Sequence, residues 1–458
     1  MIRRSADILF IVNVTFIVAI FCLGLKPGAF LSHPDKLIIS DYYNRTVSFL
    51  GQVCREADVS LFNRRLTICA GSRILVTTSL YPAYDYGDWL EVKGLVQDPP
   101  VMEDFDYGAY LARYDIYSVM YYPNLSQVKG ELSGFQKLYR YLLSYKQKIK
   151  RLIEKHLPEP EAGLASAILL GYRRSVIRED LDVFARSGLS HLIAISGAHI
   201  AILSALLVNL LLAVGLRRRL AIFLSIIFLC LYPIVTGLSA SAVRSSIMGA
   251  LALIASLVGR PNSIIRAVVL AAALMLIFNP KLLRYDVGFQ MSFLSLLGLI
   301  YIHPRLLSWL NKNLGGQFLS NWLLSTISLT LSAQLAILPI SLANFKQLSL
   351  ISPLANILVV WAFAPLLACL VIAIVVSSVF PSGGLWWFFP AHILLKFIFF
   401  ISKFLASLTW AAKEISGFGW QQGIIYYSIL ISLLLRRRLA AAFFPGKPKT
   451  PPVRRGLE

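Results

Sequence analysis

The sequence predicts a polytopic α-helical membrane protein with a small all-β domain outside the cytoplasm. Of its 458 residues, 57% are hydrophobic and 15% are charged, and the mean hydropathy of +0.68 is outside the soluble globular range. Several apolar runs reach or approach the roughly 20 residues that a helix needs to cross a bilayer. Residues 36–130 differ, because they are polar and their apolar residues alternate in short runs.

The first span is predicted within residues 1–28. Arg3 and Arg4 precede the apolar run Ile8–Leu25, and no clear small-x-small cleavage pattern follows it. A retained span with a cytoplasmic N-terminus is therefore favoured over a cleaved signal peptide.

Residues 30–133 are predicted to form the extracytoplasmic β domain. Five short strands suit a small barrel of the OB type, whose Tyr and Trp rings could stack on single-stranded DNA. Because residues 26–131 hold ten Lys/Arg and 13 Asp/Glu, a purely structural cap is at least as well supported. The strands are predicted from alternating runs between Gly, Pro and Asp, at Thr46–Cys54, Arg64–Cys69, Arg73–Thr78, Trp89–Val96 and Ile116–Tyr121.

Two cysteines of this domain, Cys54 and Cys69, would face each other across its first hairpin. In an oxidising space they could form a disulfide, and two buried free thiols are the alternative. The five cysteines of the chain show neither CxxC nor Cys/His zinc spacing, so we expect no metal and no cofactor.

A basic amphipathic helix is predicted over residues 135–158. Such a helix usually lies in the membrane interface, and contact with DNA phosphates is the alternative. Its apolar residues recur at three- and four-residue steps, at Leu138, Leu142, Tyr145, Ile149, Leu152 and His156. Its other face is basic, with Lys137, Arg140, Lys146, Lys148, Lys150, Arg151 and Lys155.

Residues 160–438 are predicted to form the polytopic membrane domain, and residues 439–458 a basic cytoplasmic tail. The basic clusters Arg217–Arg219 and Arg436–Arg438 fall on the same side as Arg3 and Arg4, as the positive-inside rule requires. We expect about ten spans with both termini in the cytoplasm. After the first, the spans are placed at about 189–213, 220–236, 240–258, 264–278, 287–302, 319–343, 349–379, 386–410 and 423–435.

The stretch Gly188–Ile200, GLSHLIAISGAHI, carries polar residues within a long apolar run. Lipid-facing helices avoid such residues, and a Ser-Gly pair is a common place for a helix to break. The stretch closely resembles the signature of the ComEC competence family, the inner-membrane channels for incoming transforming DNA. Further matching motifs follow in family order: Tyr232…Thr236-Gly237 with Arg244, Asp286–Phe293, and Pro339…Asn344-Phe345.

The resemblance implies passage of single-stranded DNA across the inner membrane. It also implies a DNA receptor protein, a cytoplasmic helicase-like motor and a separate nuclease as partners, and it leaves a homo-oligomer open. Many ComEC relatives continue into a metallo-β-lactamase-like nuclease domain. The six His residues form no HxHxDH cluster, so we expect the membrane part alone, without nuclease activity. No Walker-type motif is present, so ATP hydrolysis would come from a partner.

Arg244 is the leading candidate for the DNA path. An unpaired Arg at membrane depth costs at least about 2.5–3.5 kcal/mol, so it should face a partner, water or a passing anion. Asp286 is one candidate partner, and a structural salt bridge or a snorkelling Arg is the alternative. The other candidates for the path are polar or small residues of the spans, for which helix–helix hydrogen bonds or an interfacial helix are alternatives: Ser190, His191, Ser196, Gly197, His199, Gly237, Gln290, Ser292, Asn356, Lys396 and Lys403.

Enzymatic activity is not expected. Gly188-Leu-Ser190 superficially resembles the GxS of intramembrane serine proteases, and Ser196 and His199 are helix neighbours, but a nucleophile also needs an oriented base and an oxyanion site. Two other functions stay open beside DNA passage. One is transport of a small anionic metabolite on the same scaffold, and the other is a non-transporting membrane protein with a binding OB domain.

Overall fold

A computed structural model describes residues 42–443, apart from 61, 102–106, 260–262, 315–320, 381–382 and 416. The side chains of residues 435–443 are also outside the described part. The predicted first span lies outside the described residues, as does the predicted tail beyond residue 443. The chain begins with a β domain and continues as a mostly helical domain.

The β domain contains all five predicted strands, with ends within a residue of those expected, and two short additional strands. The strands are β1 Thr46–Val53, β2 Asp58–Val59, β3 Arg64–Ala70, β4 Ser72–Thr78, β5 Trp89–Leu95, β6 Ile116–Tyr121 and β7 Asn124–Val128.

The sheet of the β domain curls round a closed apolar core. Strand β1 pairs with β3 and β5, β3 pairs with β4, and β4 pairs in parallel with β6. A bridge between Gln97 and Val119 joins the segment after β5 to β6. Leu66, Ile68 and Met120 are fully buried inside. Alternation along the strands sends these residues inward because successive side chains point to opposite faces.

Cys54 and Cys69 form a disulfide in the β domain, with their Cα atoms 5.8 Å apart. The bond closes a hairpin between the ends of β1 and β3. The short helix α1, Tyr107–Ala112, covers the outside of the sheet, where Leu111 packs against Val119 and Leu75.

The basic helix α2, Gly134–His156, is present, and Ile149 and Leu152 of its predicted apolar stripe pack against the core of the membrane domain. Leu138 and Tyr145 of the predicted apolar stripe are more than half exposed, whereas Leu143, Lys146 and Ile153 are buried. The reason is that α2 packs between the β domain and the membrane domain. These domains cover the residues that lie one position after those of the predicted stripe. Lys146 is stabilised in this position because its Nζ lies 2.7 Å from the Glu56 carboxylate.

The membrane domain begins with the short helix α3, Glu161–Leu170, in which all ten residues are buried. The following helices are α4 Arg178–Arg186, α5 Ser190–Ile193, α6 Gly197–Ala213, α7 Arg218–Val235, α8 Ala240–Val258, α9 Ile264–Phe278, α10 Leu282–Tyr285, α11 Val287–Tyr301, α12 His303–Leu314, α13 Asn321–Phe345, α14 Ser352–Val379, α15 Gly384–Ala406 and α16 Trp420–Phe443. Strands β8 Gln347–Ser349 and β9 Ala412–Glu414 pair beside the start of α14.

Within the described part, five helices are long and apolar enough to cross a membrane: α7, α8, α13, α14 and α15. The count becomes six if α11 and α12, which are bent by 46° at their junction, are taken as one span. These helices are those of a multi-pass membrane protein. The expected count of about ten spans stays a prediction.

Ion pairs join the β domain to the neighbouring helices. Four of its carboxylates are each paired with a cation from α2 or the membrane domain, in the pairs Glu56–Lys146, Asp58–Arg174, Asp88–Arg140 and Asp115–Lys281. A fifth pair has the opposite polarity and joins Arg113 of the β domain to Asp286 at 2.8 Å. The acidic balance of the β domain is therefore partly an adaptation to its basic neighbours.

Candidate functional site at the broken helix

The stretch Gly188–Ile200 forms two helices with a break between them. Helix α5 ends at Ile193, and Ser196, with an extended backbone, starts α6. The Ser196 amide donates a hydrogen bond to His199 Nδ1 at 3.0 Å, which is the reciprocal half of a capping box. The prediction of a break at Ser196-Gly197 is confirmed, and Ser196 and His199 cap the start of α6.

His199 is completely buried. Its ring lies edge-on to the Phe363 ring at 4.7 Å, and its Nε2 has no hydrogen-bond partner among the described residues. Because a backbone N–H can only donate, the bond from Ser196 requires an unprotonated Nδ1. His199 is therefore held as the neutral tautomer with its proton on Nε2.

Ser196 Oγ lies 2.9 Å from His199 Nδ1, a distance that a nucleophile and its base would also show. Two features favour a helix cap instead. The same Nδ1 already accepts the Ser196 amide, and no described carboxylate is hydrogen-bonded to Nε2 to orient the ring. A catalytic base needs that third group. The contact is explained by the capping box.

Arg244 lies on α8 and is only 8% exposed. Its Nε donates to Ser292 Oγ on α11 at 2.8 Å, and Ser292 Oγ in turn lies 3.2 Å from Ser241 Oγ. Its guanidinium carbon lies 5.7 Å from the centre of the Phe293 ring. No carboxylate among the described residues lies within 4.0 Å of the guanidinium. Its Nη1 also lies 3.8 Å from the Met248 sulfur, so the contacts described for this buried charge are a hydroxyl, a ring and a thioether.

Gly197 brings the helix break next to this charge. A Cβ built on Gly197 would lie 3.5 Å from Arg244 Nη2 and 3.0 Å from Ser245 Oγ. The hydroxyls of Ser245 and Ser246 are buried and have no partner within the described part of the chain. Unpaired buried hydroxyls are costly unless water or a ligand reaches them. The guanidinium of Arg244 and the unpaired hydroxyl of Ser245 therefore lie at the start of α6, where they could bind an anion or water.

Asp286 is not the counterion of Arg244. Its Oδ1 accepts the Phe289 amide at 2.9 Å and caps α11, while its Oδ2 lies 2.8 Å from Arg113 Nη1 in the β domain. The expected Arg244–Asp286 pair is therefore wrong, because one carboxylate oxygen caps α11 and the other pairs with Arg113 of the β domain. Gln290, on the same helix, donates hydrogen bonds from its Nε2 to the Leu283 and Arg284 carbonyls at 2.9 and 3.1 Å.

The remaining predicted residues lie in different surroundings. Ser190 and His191 are exposed on α5. Gly237 has a φ of +90° and follows the end of α7, a conformation that favours glycine. Asn356 Nδ2 lies 3.4 Å from Thr330 Oγ1, and its buried Oδ1 has no partner in the described part.

The two lysines of α15 differ from each other. Lys396 is exposed and carries a free charge as far as the described residues go. Lys403 lies 3.7 Å from the buried carboxylate of Asp180 on α4. The positive field expected from Lys403 is therefore partly cancelled, a pairing that the seven-residue spacing of the lysines could not indicate.

A protein-family model described as "Competence protein" matches residues 168–440, which include the helix break, Arg244 and Ser292. The chain is also similar to ComE operon protein 3 of Bacillus subtilis (strain 168), with 33% identity over 276 residues. That alignment covers 59% of this chain and 33% of the relative, so the chain spans about one third of that curated protein. No solved structure matches the chain.

Proposed function

This chain belongs to the competence protein family, and from that premise we propose that it forms a channel for single-stranded DNA across the cytoplasmic membrane. The observation that carries the proposal is Arg244, a buried guanidinium without a described carboxylate partner beside a broken helix. The cost of such a charge at membrane depth is offset if water or a passing anion contacts it. The DNA backbone supplies one anion per nucleotide.

The polar residues around Arg244 suit a route that does not read sequence. Attraction of phosphates to a cation is independent of the base, so one guanidinium serves every nucleotide in turn. Ser245 and Ser246 add hydroxyls that water or phosphate oxygens can use. Gly197 removes the side chain that would separate the break from the guanidinium. Non-helical backbone is tolerated in a membrane where it lines such a hydrated cavity.

The β domain fits an OB-type barrel on the extracytoplasmic side. Its strand pairing, with β1 between β3 and β5 and with β4 parallel to β6, supports a five-stranded barrel closed near Gln97. The Cys54–Cys69 disulfide supports an oxidising compartment. The domain and α2 meet the ends of the helices near Ile234 and Asp286, which the predicted alternation of about ten spans places on one outer side.

The proposed assembly includes the partners that the family resemblance implies. These are a DNA receptor outside, a cytoplasmic helicase-like motor and a separate nuclease. In this proposal the chain itself performs no chemistry on the DNA and uses no cofactor, so the driving force comes from the motor. Both termini lie in the cytoplasm.

The test is to delete the chain in its host and score entry of labelled donor DNA into the cytoplasm. Wild type should restore entry, and Arg244→Gln should lower it by about tenfold or more, because a hydrogen bond to a charged group is worth about 1.5–3 kcal/mol and about 1.4 kcal/mol corresponds to tenfold. Arg244→Lys keeps the charge and should recover part of the loss. Arg266→Gln is the matched control, since Arg266 is an exposed cation on the neighbouring helix α9.

Two results would count against the proposal. Normal entry with Arg244→Gln at wild-type protein levels would remove Arg244 from the path. Normal entry after deletion of the chain, in a host that demonstrably takes up DNA, would refute the channel itself. Transport of a small anionic metabolite would then be favoured, since a single buried guanidinium also suits a small anion.

A further inference from the structure

A layered stack of arginine and tyrosine side chains lies where the β domain meets the membrane domain. The guanidinium carbon of Arg55 lies 4.2 Å from the centre of the Tyr114 ring, and that of Arg113 lies 4.4 Å from the same ring. Arg113 also lies 4.1 Å from the Tyr110 ring. Two guanidinium groups therefore share one phenol, which brings like charges together.

The charges of this junction do not balance within the described residues. Arg73 and Lys281 both pair with Asp115, and Arg113 pairs with Asp286. Arg55 has no hydrogen bond or ion pair to a described residue. Four cations thus share two carboxylates, and the unmatched charge is concentrated at Arg55. An excess of like charge in one place is stabilised by an anion from outside.

Burial makes the excess at Arg55 more costly than it would be at an open surface. Burial, followed by the charges of Arg73 and Arg113, lowers the pKa of Arg55, and the Tyr114 phenol acts in the opposite direction. Arg113 adds an unused donor, because its buried Nε has no partner among the described residues. A bound anion would relieve both the repulsion and the unpaired donor.

We propose that Arg55, with Arg113 and Tyr114, forms a phosphodiester-binding site at the junction of the β domain and the membrane domain. The planar guanidinium groups offer paired donors that match phosphate oxygens, which a single ammonium does not. The site rests on the proposed function in one respect, which is that the backbone of entering DNA supplies the phosphate. Its position on the membrane domain side of the β domain suits a contact made before the strand reaches Arg244.

The site is tested by binding to the purified full chain in detergent. The probe is a fluorescein-labelled oligomer of abasic deoxyribose phosphates, which presents the backbone without bases. Arg55→Gln should weaken its binding about fivefold and reduce the slope of log affinity against log salt by about 0.7, the value for one phosphate of a single strand. Arg45→Gln is the matched control, because Arg45 is exposed at the opposite end of strand β1.

Arg55→Lys separates loss of charge from loss of fold. It retains the cation and should keep the wild-type salt slope while binding more weakly than Arg55. Unchanged affinity and slope with Arg55→Gln, or equal effects of Arg45→Gln and Arg55→Gln, would overturn the site. Competition by phosphatidylglycerol micelles that disappears in Arg55→Gln would assign the site to lipid phosphodiesters and would overturn the DNA backbone as its ligand.

The binding assay tests the junction site, and the import assay tests the channel, so either proposal can be refuted without the other. A chain that binds the oligomer through Arg55 but imports no DNA would keep the junction site and refute the channel. A chain that imports DNA through an Arg244-dependent route while Arg55→Gln binds normally would keep the channel and refute the junction site.

Discussion

His199 is predicted to act as the cap of helix α6 and not as a catalytic base. Its Nδ1 accepts the Ser196 amide at 3.0 Å, and glutamine at the same capping-box position can accept that amide through its side-chain oxygen. His199→Leu removes the acceptor. Loss of this hydrogen bond leaves the Ser196 amide unpaired, which costs about 2 kcal/mol. A cost of about 2 kcal/mol lowers the ratio of the broken helix to other arrangements about 30-fold.

The assay compares His199→Gln and His199→Leu for import of labelled DNA and for thermal unfolding in detergent, each at a measured protein level. His199→Gln should remain close to wild type in both measurements, and His199→Leu should fall in both. Glutamine cannot serve as a general base at neutral pH. Loss of function in His199→Gln with an unchanged unfolding temperature would therefore refute the capping role. Ser196 and His199 would then be candidates for a catalytic pair.

Three further outcomes follow from contacts of the β domain. Replacing Cys54 and Cys69 by serine should destabilise this domain by about 3 kcal/mol, the chain-entropy value for a loop of about 15 residues. Added reductant should destabilise the wild type equally and should leave the variant unchanged. Asp286→Asn retains the cap of α11 and loses only the charge partner of Arg113, so it should lower thermal stability less than Asp286→Ala does; equal losses would contradict the capping role. Glu56→Ala leaves the Lys146 charge buried without its carboxylate and should cost about 3 kcal/mol or more, and Lys146→Met in the same chain should recover part of that loss in a double-mutant cycle.

Much of the secondary structure was predictable from the sequence because hydrophobic patterning is a local property. The strands of the β domain follow from alternation with period two, and the ends of α7, α8 and α9 fall within two residues of the predicted spans. The break at Ser196-Gly197 was also predictable, since the Ser-Gly pair is a local signal. The family resemblance carried by Gly188–Ile200 is confirmed by the match over residues 168–440.

The orientation of helix α2 could not be predicted, because it depends on partners that are distant in sequence. Its apolar stripe, which includes Leu138 and Tyr145, predicted a face for the membrane interface, and it did not indicate that the face carrying Lys146 is buried against the β domain. The carboxylate that makes this burial tolerable is Glu56, 90 residues earlier in the chain. No periodicity of α2 contains that information.

The partners of the predicted site residues were missed for the same reason. Asp286 was one candidate partner for Arg244 because it lies at the mouth of a later span, yet its partner Arg113 is 173 residues away. Arg113 directly follows the last residue of α1 and lies three residues after Tyr110, a spacing that is the one local signal for their contact. Arg55 carried no signal at all, because its significance depends on Tyr114 and Arg73 reaching the same place.

The acidic composition of the β domain loses its force as an argument against DNA binding once the ion pairs are known. Glu56, Asp58, Asp88 and Asp115 are each paired with a cation outside the β domain, so they contribute little negative field to an approaching strand. The cations that remain unmatched, Arg55 above all, lie at the junction with the membrane domain. A net charge summed over a segment therefore misjudges its surface when the segment docks through its own carboxylates. The field that a phosphate meets is set by the charges left over after docking.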